Sequence, residues 1–290
     1  MKFLYKIPGP FLVGMGAFFL SYGGLLVKSF EHSSLWQILF WRSLFFTFTV
    51  GFFLLFTYKK KTFEIVKNIG LPGLFGGAMI SIGFAAYVFA MYVTTVANVN
   101  FTITTQTIFL ALFGYIFMKE KISKRTLFAI ILAMSGVLLM VGDSISKGSY
   151  IGNLVSLAMP IALSIMVITV RKFPNVDMVP AMFVAGILST IYGAIFSEHF
   201  NISSEELILA TILGITQIGF GFICITIGSK STPAATVGIL MLIEAILGPV
   251  WAWIFINEIP PLSVLIGGIT IIFAILIQST ENKKTIVAKT

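Results

Sequence analysis

Charge is scarce in this chain. Asp, Glu, Lys and Arg make up 10% of its 290 residues, hydrophobic residues make up 58%, and the mean hydropathy is +1.02. A soluble domain has about a quarter of its residues charged and roughly half apolar, so a water-covered globule is excluded. Cysteine is all but missing: Cys224 stands alone in an apolar stretch, which rules out a disulfide framework. His32 and His199, the two histidines, fall in expected loops, as do Asp143 and Asp177. An intramembrane enzyme would need paired acids or a Ser–His couple within its spans, and the chain offers neither. A GxxxxGK[ST] loop is absent, so no ATP site of that kind exists. No metal and no cofactor are expected.

What the chain has instead is apolar length. Segments 9–27, 35–57, 70–91, 96–118, 126–142, 150–170, 178–196, 206–228, 233–256 and 261–279 read as ten membrane spans, since about 20 apolar residues cross a bilayer. Each must satisfy its own backbone in lipid, so all are expected to be helices. Lys2 and Lys6 precede the first run, but no small-residue cleavage site follows it, so an uncleaved first span is expected.

The basic residues set the orientation. With the N-terminus inside, all of the 19 Lys and Arg fall on the inner side except Lys28 and Lys147, outside, and Arg42, within the second span. Both termini are therefore expected in the cytoplasm, with the chain in the cytoplasmic membrane. The net charge of +8 then needs no nucleic-acid partner.

The chain also repeats itself. Thr94 to Glu120 overlays Thr232 to Glu258, pairing Ala97 with Ala235, Ile116 with Ile254, Phe117 with Phe255 and Glu120 with Glu258. The same overlay sets Gln106 opposite Glu244, so both copies carry a polar group midway along an apolar span. Residues 1–145 and 146–290 thus read as two five-helix halves. Five is odd, so the second half inserts upside down. Inverted repeats around a midplane site are the sequence sign of alternating-access carriers.

Glu244 lies about 11 residues into its span, roughly 16 Å deep. An ionisable group at that depth marks a functional site by default. It could bind a substrate amine or exchange a proton. The plainer reading is a structural acid bonded to a neighbouring helix or paired with Arg42. Gly248 and Pro249 should open the helix beside it, and Pro160 should break the sixth span in the same way.

Two polar stripes run along the Gln106 helix. Asn98, Thr102, Thr105 and Gln106 form one; Asn100, Thr104 and Thr107 lie nearly opposite. The first contains Gln106 and is the expected cavity wall. Threonines of the second can return their hydroxyls to the backbone. Arg42, roughly 10 Å deep, needs a counter-charge or water. A substrate carboxylate, helix packing or Glu244 could each provide for it. Trp41, Tyr87 and Trp251 are the deep aromatic candidates for substrate contact, and Phe84, Tyr87 and Met91 share one face as an apolar wall.

Several runs resemble those of the EamA-type transporters of the drug/metabolite transporter superfamily. LFGYIFMKEKISKRTLFAIILAMSGVLLM (112–140) is similar to that family's fourth span, acidic turn and Gly-rich fifth span. WAWIFINEIPPLSVLIGGITIIFAILI (251–277) is similar to its second copy. SYGGLLVKS (21–29) and FWRSLFF (40–46) resemble its first two spans, with Tyr22 where tryptophan is common. The resemblance implies an all-α membrane protein of ten helices, in two inverted five-helix repeats around a central cavity. It also implies a carrier for amino acids or other small metabolites. The expected partners are a small-molecule substrate and the lipid bilayer; proton coupling and a homodimer stay open. An exporter of hydrophobic cations or drugs is the rival within the class, and a channel the rival outside it.

Overall fold

The computed structural model describes residues 2–94, 96–141, 150–256 and 262–287, and among these every element is helical. In chain order the long elements are α1 (Gly9–Lys28), α2 (Leu35–Tyr58), α3 (Gly70–Val93), α4 (Asn98–Met118) and α5 (Lys124–Val141). The second half supplies α6 (Tyr150–Lys172), α7 (Val179–Phe196), α8 (Ser204–Ser229), α9 (Ala234–Phe255) and α10 (Leu262–Val287). Among the described residues, eight of these are long and apolar enough to cross a bilayer. The two others, α5 and α10, fall on the expected spans 126–142 and 261–279. α5 opens on Lys124 and Arg125, and the apolar part of α10 runs only from Leu265 to Gln278. The acidic turn at Glu258 lies outside the described residues.

Because these helices are apolar on every side, neighbour contacts rather than polarity decide which face points inward. On α2 the rings of Phe48, Phe52 and Phe56 are exposed at helical spacing, while Phe46, Val50, Phe53 and Leu54 are buried. Large apolar side chains thus clothe the outside, where lipid tails are as apolar as they are. Local signals set the ends. Ser34 and Gln37 form a capping box at the start of α2, each side chain accepting from the other's backbone N–H (3.4 and 2.8 Å). α4 closes on Lys119 in the left-handed conformation, φ 54°.

Close approaches between helices reveal the symmetry. A methyl group added at Gly228 of α8 would fall 2.6 Å from the Gly9 carbonyl oxygen of α1, and one at Gly221 3.1 Å from the Leu20 side chain. α1 and α8 therefore run antiparallel. On the other side Gly76 meets Met166 and Gly83 meets Ala162, so α3 and α6 are antiparallel too. The register that pairs Thr94 with Thr232 also pairs Gly83 with Gly221, and these two glycines sit at equivalent crossings. Counterpart helices meet in the same sense. Gly51 faces Phe183 and Gly193 faces Phe40, joining α2 to α7; Gly238 faces Thr107 and Gly114 faces Ala234, joining α4 to α9; Gly136 faces Gly267 and Ile271, joining α5 to α10. A two-fold axis that relates antiparallel counterparts lies across the helices. The two halves are inverted with respect to one another.

Four spans are interrupted, in two equivalent pairs: α1 at Ser21–Tyr22 and α6 at Leu157, α4 at Thr105 and α9 at Leu242. Pro160 accounts for the α6 break, because its ring clashes with the carbonyl of Ser156, where the first piece ends. In α4 the hydroxyls of Thr102, Thr104 and Thr105 all return to carbonyls of their own helix, which loosens its ladder. The expectation for α9 is corrected. Its helix runs unbroken through Gly248 and Pro249 and gives way earlier, at Leu242.

Gly228→Val should overpack the α1–α8 crossing at a cost of about 1–3 kcal/mol. The detergent-solubilised variant is expected to melt several degrees below the parent, as read by intrinsic fluorescence during heating.

Candidate functional site

The broken spans converge on a narrow hollow between the halves. Arg42 (α2), Tyr87 (α3), Gln106 (α4), Gln217 (α8) and Glu244 (α9) supply its polar lining, and aliphatic and sulfur side chains with Phe222 supply the rest. It is narrow throughout and has room at its centre for about one water. A second narrow hollow adjoins it and shares Ile103, Gln106, Met241 and Glu244. Glu244 therefore stands in the wall between two spaces.

Arg42 is 1% exposed, and its guanidinium lies over the rings of Phe84 (5.4 Å) and Tyr87 (5.1 Å). Phe84 is held in turn by edge-to-face contacts with Phe46 (5.3 Å) and Phe222 (5.0 Å). These rings fix the charge from below, at the strength of a desolvated cation–π contact. They satisfy no N–H, and Nε and Nη1 of Arg42 have no hydrogen-bond partner. No ion pair to Glu244 forms within 4.0 Å. Of the three partners foreseen for Arg42, Glu244 is thus not taken up here. Among the described residues the Glu244 carboxylate receives no hydrogen bond either.

The expected site residues divide. Glu244, Gln106, Arg42 and Tyr87 line one cavity. Trp41 turns away and donates its indole N–H to the Phe200 carbonyl (3.1 Å), in the segment that follows α7. Trp251 donates to the Ser21 hydroxyl (2.7 Å), bracing the broken α1 from outside the cavity. Asn98 donates to the Thr94 hydroxyl (3.4 Å), and the Thr102 hydroxyl is bonded to the Asn98 carbonyl (2.9 Å). Of the two α4 stripes, the one set aside supplies Asn100 and Thr104 to the second hollow. Gln106 lies on the other stripe and still lines both spaces, because the turn at Thr105 offsets the helix below it. Gln217 was overlooked. As the one side-chain amide inside the apolar run 206–228, it carries the same mark that singled out Gln106.

Polar contacts join the two halves at both ends of the bundle. On the face where basic residues gather, Glu120 at the end of α4 pairs with Arg171 of α6 and accepts the Ala234 N–H at the start of α9 (3.1 Å). Arg171 also donates to the Thr232 carbonyl. Beside it, the hydroxyls of Tyr5 (2.6 Å) and Tyr58 both donate to Asp177, which also accepts the Val179 N–H (2.9 Å). Burial first, and the adjacent Asp177 carboxylate second, hold the Tyr5 phenol well above its usual range, so it remains a donor. On the opposite face Glu206 of α8 accepts from the backbone of Glu31 (2.9 Å) and His32 (2.8 Å) and from the Ser33 hydroxyl (2.6 Å). Gln37 there donates to the Asn201 carbonyl (2.8 Å).

Inverted halves, discontinuous helices and a central closed hollow are the architecture of membrane transporters. The EamA-like transporter family model matches the chain twice, over residues 7–142 and 147–280. The chain belongs to that family, within the drug/metabolite transporter superfamily, and is a multi-pass membrane transporter. An uncharacterized transporter of Clostridium kluyveri is 26% identical over 243 residues, covering 78% of this chain and 77% of that one. A protein known by its crystal structure superposes with TM-score 0.80 at 14% identity, over 96% of this chain and 98% of its own, a likeness of fold.

Glu120→Gln, which removes the Arg171 ion pair, should loosen the basic-face closure. A cysteine placed at Ile103 in a Cys224→Ala background should then react severalfold faster with a water-soluble maleimide, and an unchanged rate would show that the pair closes nothing.

Proposed function

We propose that the protein is a secondary carrier of small polar metabolites, most simply amino acids or related zwitterions, working by alternating access in the cytoplasmic membrane with both termini inside. One observation carries this reading: a buried guanidinium with free N–H groups and an unbonded carboxyl face the same cavity. A buried charge with open donors is costly unless a ligand or water completes it. A substrate carboxylate on Arg42 and a substrate amine toward Glu244 would complete both. The contacts at each mouth would open in turn, because the cavity as it stands is too tight for a metabolite. Glu244, which borders both hollows, is also the group suited to exchanging a proton during the cycle.

Purified protein in liposomes should show saturable counterflow of a zwitterion. Glu244→Gln is expected to depress it, and unchanged flux in that variant removes Glu244 from the mechanism. Arg42→Ala should lower zwitterion counterflow by about tenfold or more, the effect of losing a charged hydrogen-bond partner.

A second reading rests on the mostly apolar lining: export of hydrophobic cations held by Glu244 alone. Efflux of a lipophilic cation that survives Arg42→Ala while zwitterion flux is nil would favour it.

A further inference from the structure

Gln217 lies in a π-helical stretch, Leu213–Phe220, inside α8. Such widened turns concentrate at functional sites, because they push a side chain out of the regular helical register. Here the stretch is packed hard against α2: a methyl group at Gly214 would fall 2.5 Å from the Arg42 carbonyl oxygen. One turn further on, Gln217 enters the cavity from the side of Arg42. It is 3% exposed.

The orientation of its amide follows from chemistry. Nε2 donates to the Leu20 carbonyl (3.3 Å) at the break in α1. That carbonyl only accepts, so the NH₂ end must face it and the oxygen must face the other way. Oε1 is buried and has no partner. Gly23 makes room for this arrangement, since a methyl group there would lie 2.3 Å from Nε2 and 3.0 Å from the Tyr87 hydroxyl. Arg42 and Gln217 line the same cavity, one with unpartnered N–H donors and the other with an unpartnered neutral acceptor.

We propose that Gln217 is a specificity-determining residue of the transport site, whose side-chain oxygen reads an N–H on the group next to the anion held by Arg42. The inference rests on the zwitterion reading and sharpens it. In an α-amino acid the ammonium sits one carbon from the carboxylate, so an anion on Arg42 delivers the N–H to Gln217. A site that leaves a buried acceptor unpaired rejects ligands lacking the donor far more strongly than an apolar pocket rejects a wrong shape. Glu244 is then free to act on protons rather than to hold the amine by itself.

The apolar remainder of the lining suggests L-leucine as a probe, with 4-methylpentanoate as the same molecule without its amine. In the intact protein leucine should raise the melting temperature, and inhibit counterflow at lower concentration, than 4-methylpentanoate. Gln217→Met keeps the volume and removes the acceptor. The leucine-to-4-methylpentanoate ratio of inhibition constants should collapse by about tenfold or more, mainly through weaker leucine binding. Equal losses for both compounds would mean that Gln217 only braces Leu20, and an unchanged ratio would also overturn the proposal. If Gln217→Met does not fold, the parent protein still decides, because equal stabilisation by the two compounds sinks the inference. Absence of any response to either compound or to other amino acids sinks the zwitterion reading along with it. A response without amine dependence sinks the Gln217 assignment alone.

Discussion

A guanidinium is buried in the bundle where no carboxylate of the described residues pairs with it. Arg42 rests on the faces of Phe84 and Tyr87 with two nitrogens unbonded. Much of the interior is arranged around that fact. The Phe46–Phe84–Phe222 cluster fixes the ring beneath the guanidinium. The π-helical stretch of α8 comes close to the Arg42 backbone and carries Gln217 in beside it. A bundle that needed only stability would place a leucine there.

The repeat is symmetric in backbone and asymmetric in chemistry. α4 and α9 break at matched places, as do α1 and α6, and glycine crossings recur at matched positions. Of the cavity lining, Gln106 and Glu244 are counterparts in the repeat, as are Ile103 and Met241. In the register of the repeat Arg42 corresponds to Pro180 and Gln217 to Met79.

The closures differ in kind. The basic face uses a charged pair and a shared carboxylate, Arg171–Glu120 and Tyr5–Tyr58–Asp177. The opposite face uses a carboxylate gripping backbone N–H groups, Glu206 on residues 31–33.

Composition and periodic apolar runs by themselves determined that the chain lives in a membrane, where its helices start and stop, that it repeats, and that Gln106 and Glu244 are counterparts. Those properties depend on the length and order of apolar residues, which a bilayer reads directly. Rotation of each helix about its own axis was a matter for tertiary structure. In spans apolar on every side no moment distinguishes the inner face, so the stripe of α4 that meets the hollow, the outward turn of Trp41 and Trp251, and the exclusion of Asn98 and Thr102 came from neighbour packing. So did the solitude of Arg42 and the arrival of Gln217, because which polar groups meet depends on how closely glycines let helices approach, and that distance is set only when all of them are packed together.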